Sequence, residues 1–438
     1  MMSAVTGLGL AVATTHAASA SLVKDIVPGE DGSGPAYLEG VRGVLYFEAF
    51  SPTGRDGLWR SDGTAAGTRL LSDAFAYGFW LTRAGNRLFF VADDEHGEEL
   101  WTSDGTKSGT TLVRDIRAGF RSSSPSDLTN HNGVLFFTAD DGVHGFELWR
   151  SDGTRAGTRL VLDVNTGHAS SRPRWLTSVG DTLFFTARDG EHGRELWRSN
   201  GTADGTRLVR DFRTRSKVSP GWLTSFRGRL FFASVGDGHG RELWRSDGTA
   251  DGTRLVKDIN PRKGSRPRLL TRVGRELFLT ASDGEHGQEL WRSDGTASGT
   301  RLVRDIFQGD RPAGYFGPDN LTDIGGTLFF GADDAVHGEG LWRSDGTGSG
   351  TKFLKGIVLL PHQGVNIGGT GFFAADDHDE FGWELWATDG TRSGTTLVRD
   401  INPGREDSRA GSLAAVRGTL FFSASDDVHG DELWKATP

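Results

Sequence analysis

PSDLTNHNGVLFFTADDGVHGFELWRSDGTRAGTRLVLDV, running from Pro125 to Val164, holds four short apolar runs divided by turn residues. The runs are Asp127-Leu-Thr, Val134 to Ala139, Phe146 to Arg150 and Arg159 to Val164. None is long enough for a helix, and short runs rich in Phe, Leu, Val, Thr and Trp are strand-like. The second run is apolar almost without a break, as is its counterpart Leu183-Phe-Phe-Thr-Ala. A strand with one wet face would alternate, so an unbroken run belongs to a strand covered on both faces. The four strands are named a, b, c and d here.

Outward from this stretch the same unit recurs along the chain. The dipeptide Leu-Trp places tryptophan at 59, 101, 149, 197, 244, 291, 342, 386 and 434, nine copies spaced 42 to 51 residues apart. Four-stranded units of that length are the mark of propeller blades. The ends of the repeat array complete the argument. Ser21-Leu-Val-Lys-Asp-Ile26 reads as a strand d with no a, b or c before it, and Glu432-Leu-Trp-Lys435 as a strand c with no d after it. Joined, they make a ninth blade and leave no open sheet edge. The expectation is an all-β, nine-bladed β-propeller over residues 21–438, its ring closed by residues 21–26. Nine exceeds the usual four to eight blades, so two smaller rings are the competing arrangement.

The stretches Glu99-Leu-Trp-Thr-Ser-Asp-Gly-Thr106, Glu147 to Thr154, Glu242 to Thr249 and Glu289 to Thr296 resemble the bacterial ELWxxDGT-repeat proteins. The likeness covers the chain after Ala20. Asn200 replaces the aspartate in the fourth copy, Gly57 and Gly340 replace the glutamate in the first and seventh, and the last lacks Asp-Gly-Thr. The resemblance implies a secreted or surface-associated repeat protein and brings no catalytic residue or substrate with it.

Composition narrows the classes. With 64 glycines and 13 prolines in 438 residues, about 18 per cent together, the chain falls below the ~25–30 per cent of unstructured sequences. A net charge of -9 speaks against a nucleic-acid binder. The absence of cysteine excludes disulfide scaffolds, cysteine proteases and zinc fingers. Residues 1–20, small and apolar and ending in Ala18-Ser19-Ala20, read as a signal-peptide-like segment without a basic start. No later run approaches the ~18 apolar residues of a membrane span. The expected product is an extracellular or cell-surface monomer.

Strand order puts the b–c and d–a loops on one face and the a–b and c–d turns on the other. The c–d turn, Ser-Asp-Gly-Thr-x-x-Gly-Thr, reads as a structural fastener. The b–c turn pairs Asp141 with His144, Asp189 with His192 and Asp283 with His286, with kindred pairs in four further blades. Such pairs could hold weakly bound divalent cations or sense pH; sevenfold repetition favours a plain turn, and no other cofactor is implied. The d–a loops vary most; they include Arg117 to Ser126, His168 to Arg174, Arg213 to Lys217, Arg262 to Arg268 and the longer Gln308 to Asp319 with Tyr315 and Phe316, and several are locally basic. Variable loops on a rigid frame are where binding sits, and an anionic partner such as an acidic polysaccharide suits the charge. Solvated surface charge is the bland alternative. Trp80, Trp175 and Trp222 share one register before the strand-a leucine, and Tyr37 holds the same place in the first repeat. At the mouth of the channel these rings, with Arg174 and Arg268 on the rim, could stack on sugars; otherwise they fill space between inner strands. Blades seven and eight are the irregular ones, with Phe353-Leu-Lys-Gly-Ile357 in place of the usual strand d and an insertion from His378 to Trp383.

No polar motif is unique, and no GxSxG, HExxH or phosphate-binding loop occurs. The reading is therefore a non-enzymatic binding propeller for glycans or a cell-surface protein through the b–c and d–a face. A structural surface scaffold is the alternative, and a polysaccharide lyase or hydrolase the remoter one.

Overall fold

The computed structural model describes residues 18–76, 78–212, 220–308, 317–360, 364–378 and 380–438. Most of the leader-like segment, and the loop residues Arg213, Arg215, Lys217, Tyr315 and Phe316, lie outside the described residues.

Within Pro125–Val164, strands a to d run Ser126–His131, Val134–Asp140, Phe146–Ser151 and Arg159–Leu162. They pair antiparallel in that order. Nine such sheets follow one another, and strand a of each lies beside strand a of the next all the way round. The molecule is one nine-bladed β-propeller. The two-ring alternative is excluded because no break interrupts the inner strands.

Strand a is longer than its apolar pattern suggested. It carries a bulge: Ser126 pairs with Thr138 and Thr129 with Phe136, which leaves Asp127 and Leu128 opposite the single Phe137. The residue after the bulge's start takes a left-handed backbone, φ 54° at Asp127. The bulge breaks the alternation by which an inner strand would be recognised.

Closure follows the expected route with a shifted boundary. The N-terminal strand spans Ser19–Lys24 and pairs with Gly430–Thr437, Ser19 facing Thr437 and Leu22 facing Trp434. Ala18 and Ala20 pack on the core between the last two blades. Residues 18–20 thus line the propeller wall in this structure.

The core is a wall rather than a centre. Between blades two and three, for example, Phe89, Leu100, Val113 and Ile116 meet Leu135, Phe137, Ala139 and Trp149. One such cluster lies at every blade junction. The repeated tryptophan has a polar task as well. The strand-d cation of one blade lies over the tryptophan of the next and donates to a carbonyl there. Arg114 lies 5.8 Å from the Trp149 ring and donates to Thr158 O at 2.7 Å. Lys24 with Trp59, Arg210 with Trp244, Lys257 with Trp291, Arg304 with Trp342, Lys355 with Trp386 and Arg399 with Trp434 repeat the contact. Stripped of water on one side, such pairs are worth roughly 0.5–2 kcal/mol each.

Phe353-Leu-Lys forms a regular strand d after all, with Phe353 facing Trp342. The real irregularity is in blade eight, whose inner edge is split into Val358–Leu359 and Val365–Ile367.

Candidate functional site

Two faces leave the ring, and one is tied down. In the c–d turn of blade three, Asp152 Oδ1 accepts the N–H of Thr154 at 2.9 Å and its hydroxyl at 2.7 Å. Thr154 Oγ1 accepts Gly157 N–H, and Ser151 and Thr158 join hydroxyls at 2.7 Å. Gly153, at φ 88°, supplies a backbone that side chains disfavour. These bonds knit the turn together, and Asn200 makes the same ones in blade four.

The opposite face is anchored by the glutamate before Leu-Trp, which in the sequence has the look of a plain motif letter. Glu147 is fully buried. Its carboxylate accepts Val164 N–H at 3.1 Å, Ser171 N–H at 2.7 Å and the Ser171 hydroxyl. Glu99, Glu242, Glu384 and Glu432 hold their own d–a segments in kindred ways. Burial drives the carboxyls of Glu99, Glu147, Glu195 and Glu384 up to about 7, against the pull of the donors. Where Gly57 and Gly340 replace the glutamate, strand d or the residues just after it close in: a Cβ at Gly340 would lie 2.6 Å from Lys355 O and from Phe353 Cε2.

The Asp/His turns close on themselves. Asp141 Oδ1 accepts the N–H groups of Val143 and His144, while Oδ2 lies 2.8 Å from His144 Nδ1. His192 with Asp189 and His286 with Asp283 repeat this at 2.7 Å. The hydrogen bond to aspartate raises the pKa of His144, His192 and His286. The kindred pairs do not all follow the sequence order. His239 takes Asp258 as partner, leaving Asp237 to Arg210, and His429 takes Asp426 instead of Asp427. Each turn brings two possible ligands, and among the described residues no three His, Asp or Glu side chains converge.

The aromatic candidates stand at the left-handed position of the inner-strand bulge, at φ 53° for Tyr37, 62° for Trp80, 58° for Trp175 and 57° for Trp222. Tyr37, Trp80 and Trp175 are 44, 52 and 42 per cent exposed, so they are not interior filler; Trp222 is half-buried against the core of blades five and six. The four rings form two separate pairs. Tyr37 and Trp80 stand 6.3 Å apart across blades one and two, and Trp175 and Trp222 5.3 Å apart across blades four and five. Arg174 begins strand a of blade four and Arg268 that of blade six, so the two arginines belong to different corners.

Comparing the nine blades position by position locates a site that no single repeat reveals. Three places disagree while their surroundings repeat: the bulge, the strand-b residue facing the start of strand a, and the residue before Glu-Leu-Trp. The last is Asp56, Glu98, Phe146, Arg194, Arg241, Gln288, Glu339, Trp383 and Asp431 in turn. The strand-b place holds Glu48, Thr138, Thr186, Ala233, Thr280, Gly331 and Ser423. These places share one corner of each blade at the b–c/d–a end. In blade three they line a pocket of about 230 Å³ with Arg172, Pro173 and Arg174. The corners differ in charge. In blade one burial lifts Glu48 to about 7 against a hydrogen bond from Gly78 N–H, and Asp56 adds to the rise. In blade seven burial lifts Asp319 to about 6, helped by Glu339. In blades four and five the corner is cationic.

No protein-family model matches this chain, and no curated protein sequence does. Solved structures of similar shape include a puromycin-hydrolyzing peptidase of Mycobacterium tuberculosis, 14 per cent identical, with 91 per cent of this chain and 61 per cent of that one covered at a TM-score of 0.42. A prolyl endopeptidase gives 10 per cent identity, 81 and 55 per cent coverage and a TM-score of 0.43. A GH74 enzyme of Niastella koreensis gives 11 per cent identity, 93 and 71 per cent coverage and 0.38. The chain spans about three fifths of the length of the peptidases it matches. At such distances the likeness bears on shape alone.

Proposed function

We propose that this protein is a secreted or cell-surface binding propeller, of the ELWxxDGT-repeat kind, that takes glycans or a surface protein on its b–c/d–a face. One observation carries the reading: paired aromatic rings, about half exposed, stand at left-handed backbone positions among the residues that vary on an otherwise repeating frame. A tryptophan at positive φ costs about 1–3 kcal/mol, and a half-exposed ring recovers little of that by packing. Flat apolar faces beside polar corner residues suit the face of a sugar ring, with hydrogen bonds to its hydroxyls from the corners. The repeated Asp/His turns, glutamate latches and c–d turns are the frame that holds this mouth rigid.

The test is a binding screen of the full chain against a glycan and polysaccharide panel, with and without calcium. Saturable binding that Trp175→Ala or Trp80→Ala abolishes is the expected result. Silence across the panel would leave the surface-scaffold role. The paired carboxylates of blades one and seven, Glu48 with Asp56 and Asp319 with Glu339, favour a second reading, acid–base cleavage of a bound polysaccharide. New reducing ends after prolonged incubation, lost in Glu48→Gln or Asp319→Asn, would establish it.

A further inference from the structure

The corner between blades three and four carries more positive charge than its own carboxylate balances. Arg188 and Arg194 face each other directly across strands b and c of blade four. Like charges so placed repel. Arg174, which pairs with Thr186 on the same sheet, and Arg172 just before it add two more cations. Arg194 feels all three and a single carboxylate, Asp127, from blade three.

Arg194 cannot swing away to relieve this. Its Nη1 donates to Arg172 O at 2.6 Å and to Thr186 O at 3.1 Å, which fixes the guanidinium beneath the d–a loop. Burial and the neighbouring arginines lower its pKa to about 10, so it stays charged at neutral pH while bearing the strain of the arrangement. The pocket of about 230 Å³ opens beside this cluster, walled by Asp127, Thr138, Phe146, Arg172 and Arg174. Drug-sized ligands need roughly 300–1,000 Å³, so this space suits one small unit.

An aromatic wall adjoins it. Trp175 follows Arg174 directly, and its indole leans on Trp222. Gly221 leaves the gap between them open: a Cβ there would lie 3.0 Å from Arg241 Nη2 and 3.6 Å from Trp175 Nε1. A cation and an aromatic edge thus meet at one point, one blade beyond the pocket.

Resting on the saccharide reading above, we infer that the corner of blades three to five is an anion subsite, which takes the carboxylate or sulfate of an acidic sugar on Arg174, Arg188 and Arg194 while the sugar ring lies against Trp175. An anion there would turn the repulsion among the arginines into charge-assisted hydrogen bonds. Asp127 restrains the site, so that a bound anion must be reached by the arginines on its far side. The corners of blades one, seven and nine carry Asp56, Asp319 and Asp431 instead.

The experiment titrates the full chain with polygalacturonate, dextran sulfate, unmodified dextran and single-stranded DNA, in 50 and 300 mM salt. Tighter binding of either acidic polysaccharide than of dextran, by about tenfold or more, is expected, and which of the two binds identifies the charged group. Arg188→Gln alters an exposed side chain and should keep the melting temperature; Arg194→Gln removes the fixed guanidinium. Each should weaken the acidic polysaccharide about tenfold to a hundredfold and neutral glycans by distinctly less, since those lose only a hydroxyl contact. Should Arg194→Gln fail to fold, Arg188→Gln alone decides. Dextran bound as tightly as its sulfate, with Arg188→Gln silent, would overturn the anion subsite and leave the saccharide reading standing. DNA bound as tightly as the acidic polysaccharide would overturn it as unspecific attraction. No binding of any polysaccharide, charged or neutral, would remove the saccharide reading and the subsite with it.

Discussion

Replacing Glu147 by alanine tests the frame and the site together. The substitution leaves Val164 N–H, Ser171 N–H and the Ser171 hydroxyl without their acceptor in a fully buried place. At about 1–3 kcal/mol for each abandoned donor, and with some rescue by water, the loss comes to about 3–6 kcal/mol. The carboxylate itself works in the other direction. Burial moves its pKa from 4.5 to about 7, and at about 1.36 kcal/mol per pH unit its ionisation costs the folded state about 3 kcal/mol. That cost is absent below pH 4.5 and complete above pH 7. Alanine removes it, so Glu147→Ala should be more damaging at pH 5 than at pH 8, by up to about 3 kcal/mol. A chain of nine blades need not unfold in one step, which makes local hydrogen exchange the better assay. The amides of Val164 and Ser171 should lose protection, and the loop carrying Arg172 and Arg174 should open with them. Unchanged exchange at both amides would refute the latch. A loss equal at both pH values, or larger at pH 8, would refute the claim that burial holds the carboxyl protonated.

Other outcomes follow from the same geometry. Whole-protein melting should fall as pH rises from 5.5 to 8. Glu99, Glu195 and Glu384, raised to about 7 by burial, ionise at a cost in that window, and His96, His144, His286 and His429, raised by their aspartate bonds, lose a stabilising proton; a melting temperature flat or rising with pH would contradict both. Trp175→Ala should abolish glycan binding with little change in melting, whereas Trp222→Ala, which uncovers core between blades five and six, should cost about 1–3 kcal/mol in denaturant titrations. Asp152→Asn should be neutral within about 0.5 kcal/mol, since Oδ1 alone makes the turn's bonds as Asn200 does, while Asp152→Ala should lose about 1–2 kcal/mol by the same titrations. Elemental analysis after dialysis should find less than one divalent ion per chain, and chelator should leave melting unchanged, because the aspartate and histidine of each turn are engaged with each other.

What could be read from the residues alone was whatever repeats with a plain physical cause. Strand b announces itself as Leu-Phe-Phe because both its faces are covered, and closure follows from a strand d without a blade at one end and a blade without a strand d at the other. The inner strand was legible only as Asp127-Leu-Thr, since a bulge destroys alternation and puts a tryptophan or aspartate where a β residue belongs. The Glu147 latch was hidden for another reason. A glutamate in a strand reads as a wet residue, and only the buried donors seventeen and twenty-four positions later make it an interior one. Ser19 and Ala20, which open the closing strand, are small residues without the apolar pattern by which a strand is recognised.

The corner site lay in plain view in the sequence and needed a different comparison to be seen. Residues that are alike in all nine repeats must serve what all nine blades need, which is packing, latching and turning. A place that takes Asp56, Phe146, Arg194, Gln288 and Trp383 in successive copies cannot be serving that common need, because no single packing or latching role suits an acid, a ring and a guanidinium alike. Such a place is free to differ only if the frame holds without it, and its residues are then set by what approaches from outside. The frame repeats the corner from blade to blade, the split inner edge of blade eight apart, while the corner residues change. On the proposed binding role, specificity would reside in the order of corners around the mouth, with an aromatic and acidic sector at blades one and two and an aromatic and cationic one at blades four and five. Exchanging Asp56 with Arg194 should therefore move binding around the ring without disturbing the ring itself.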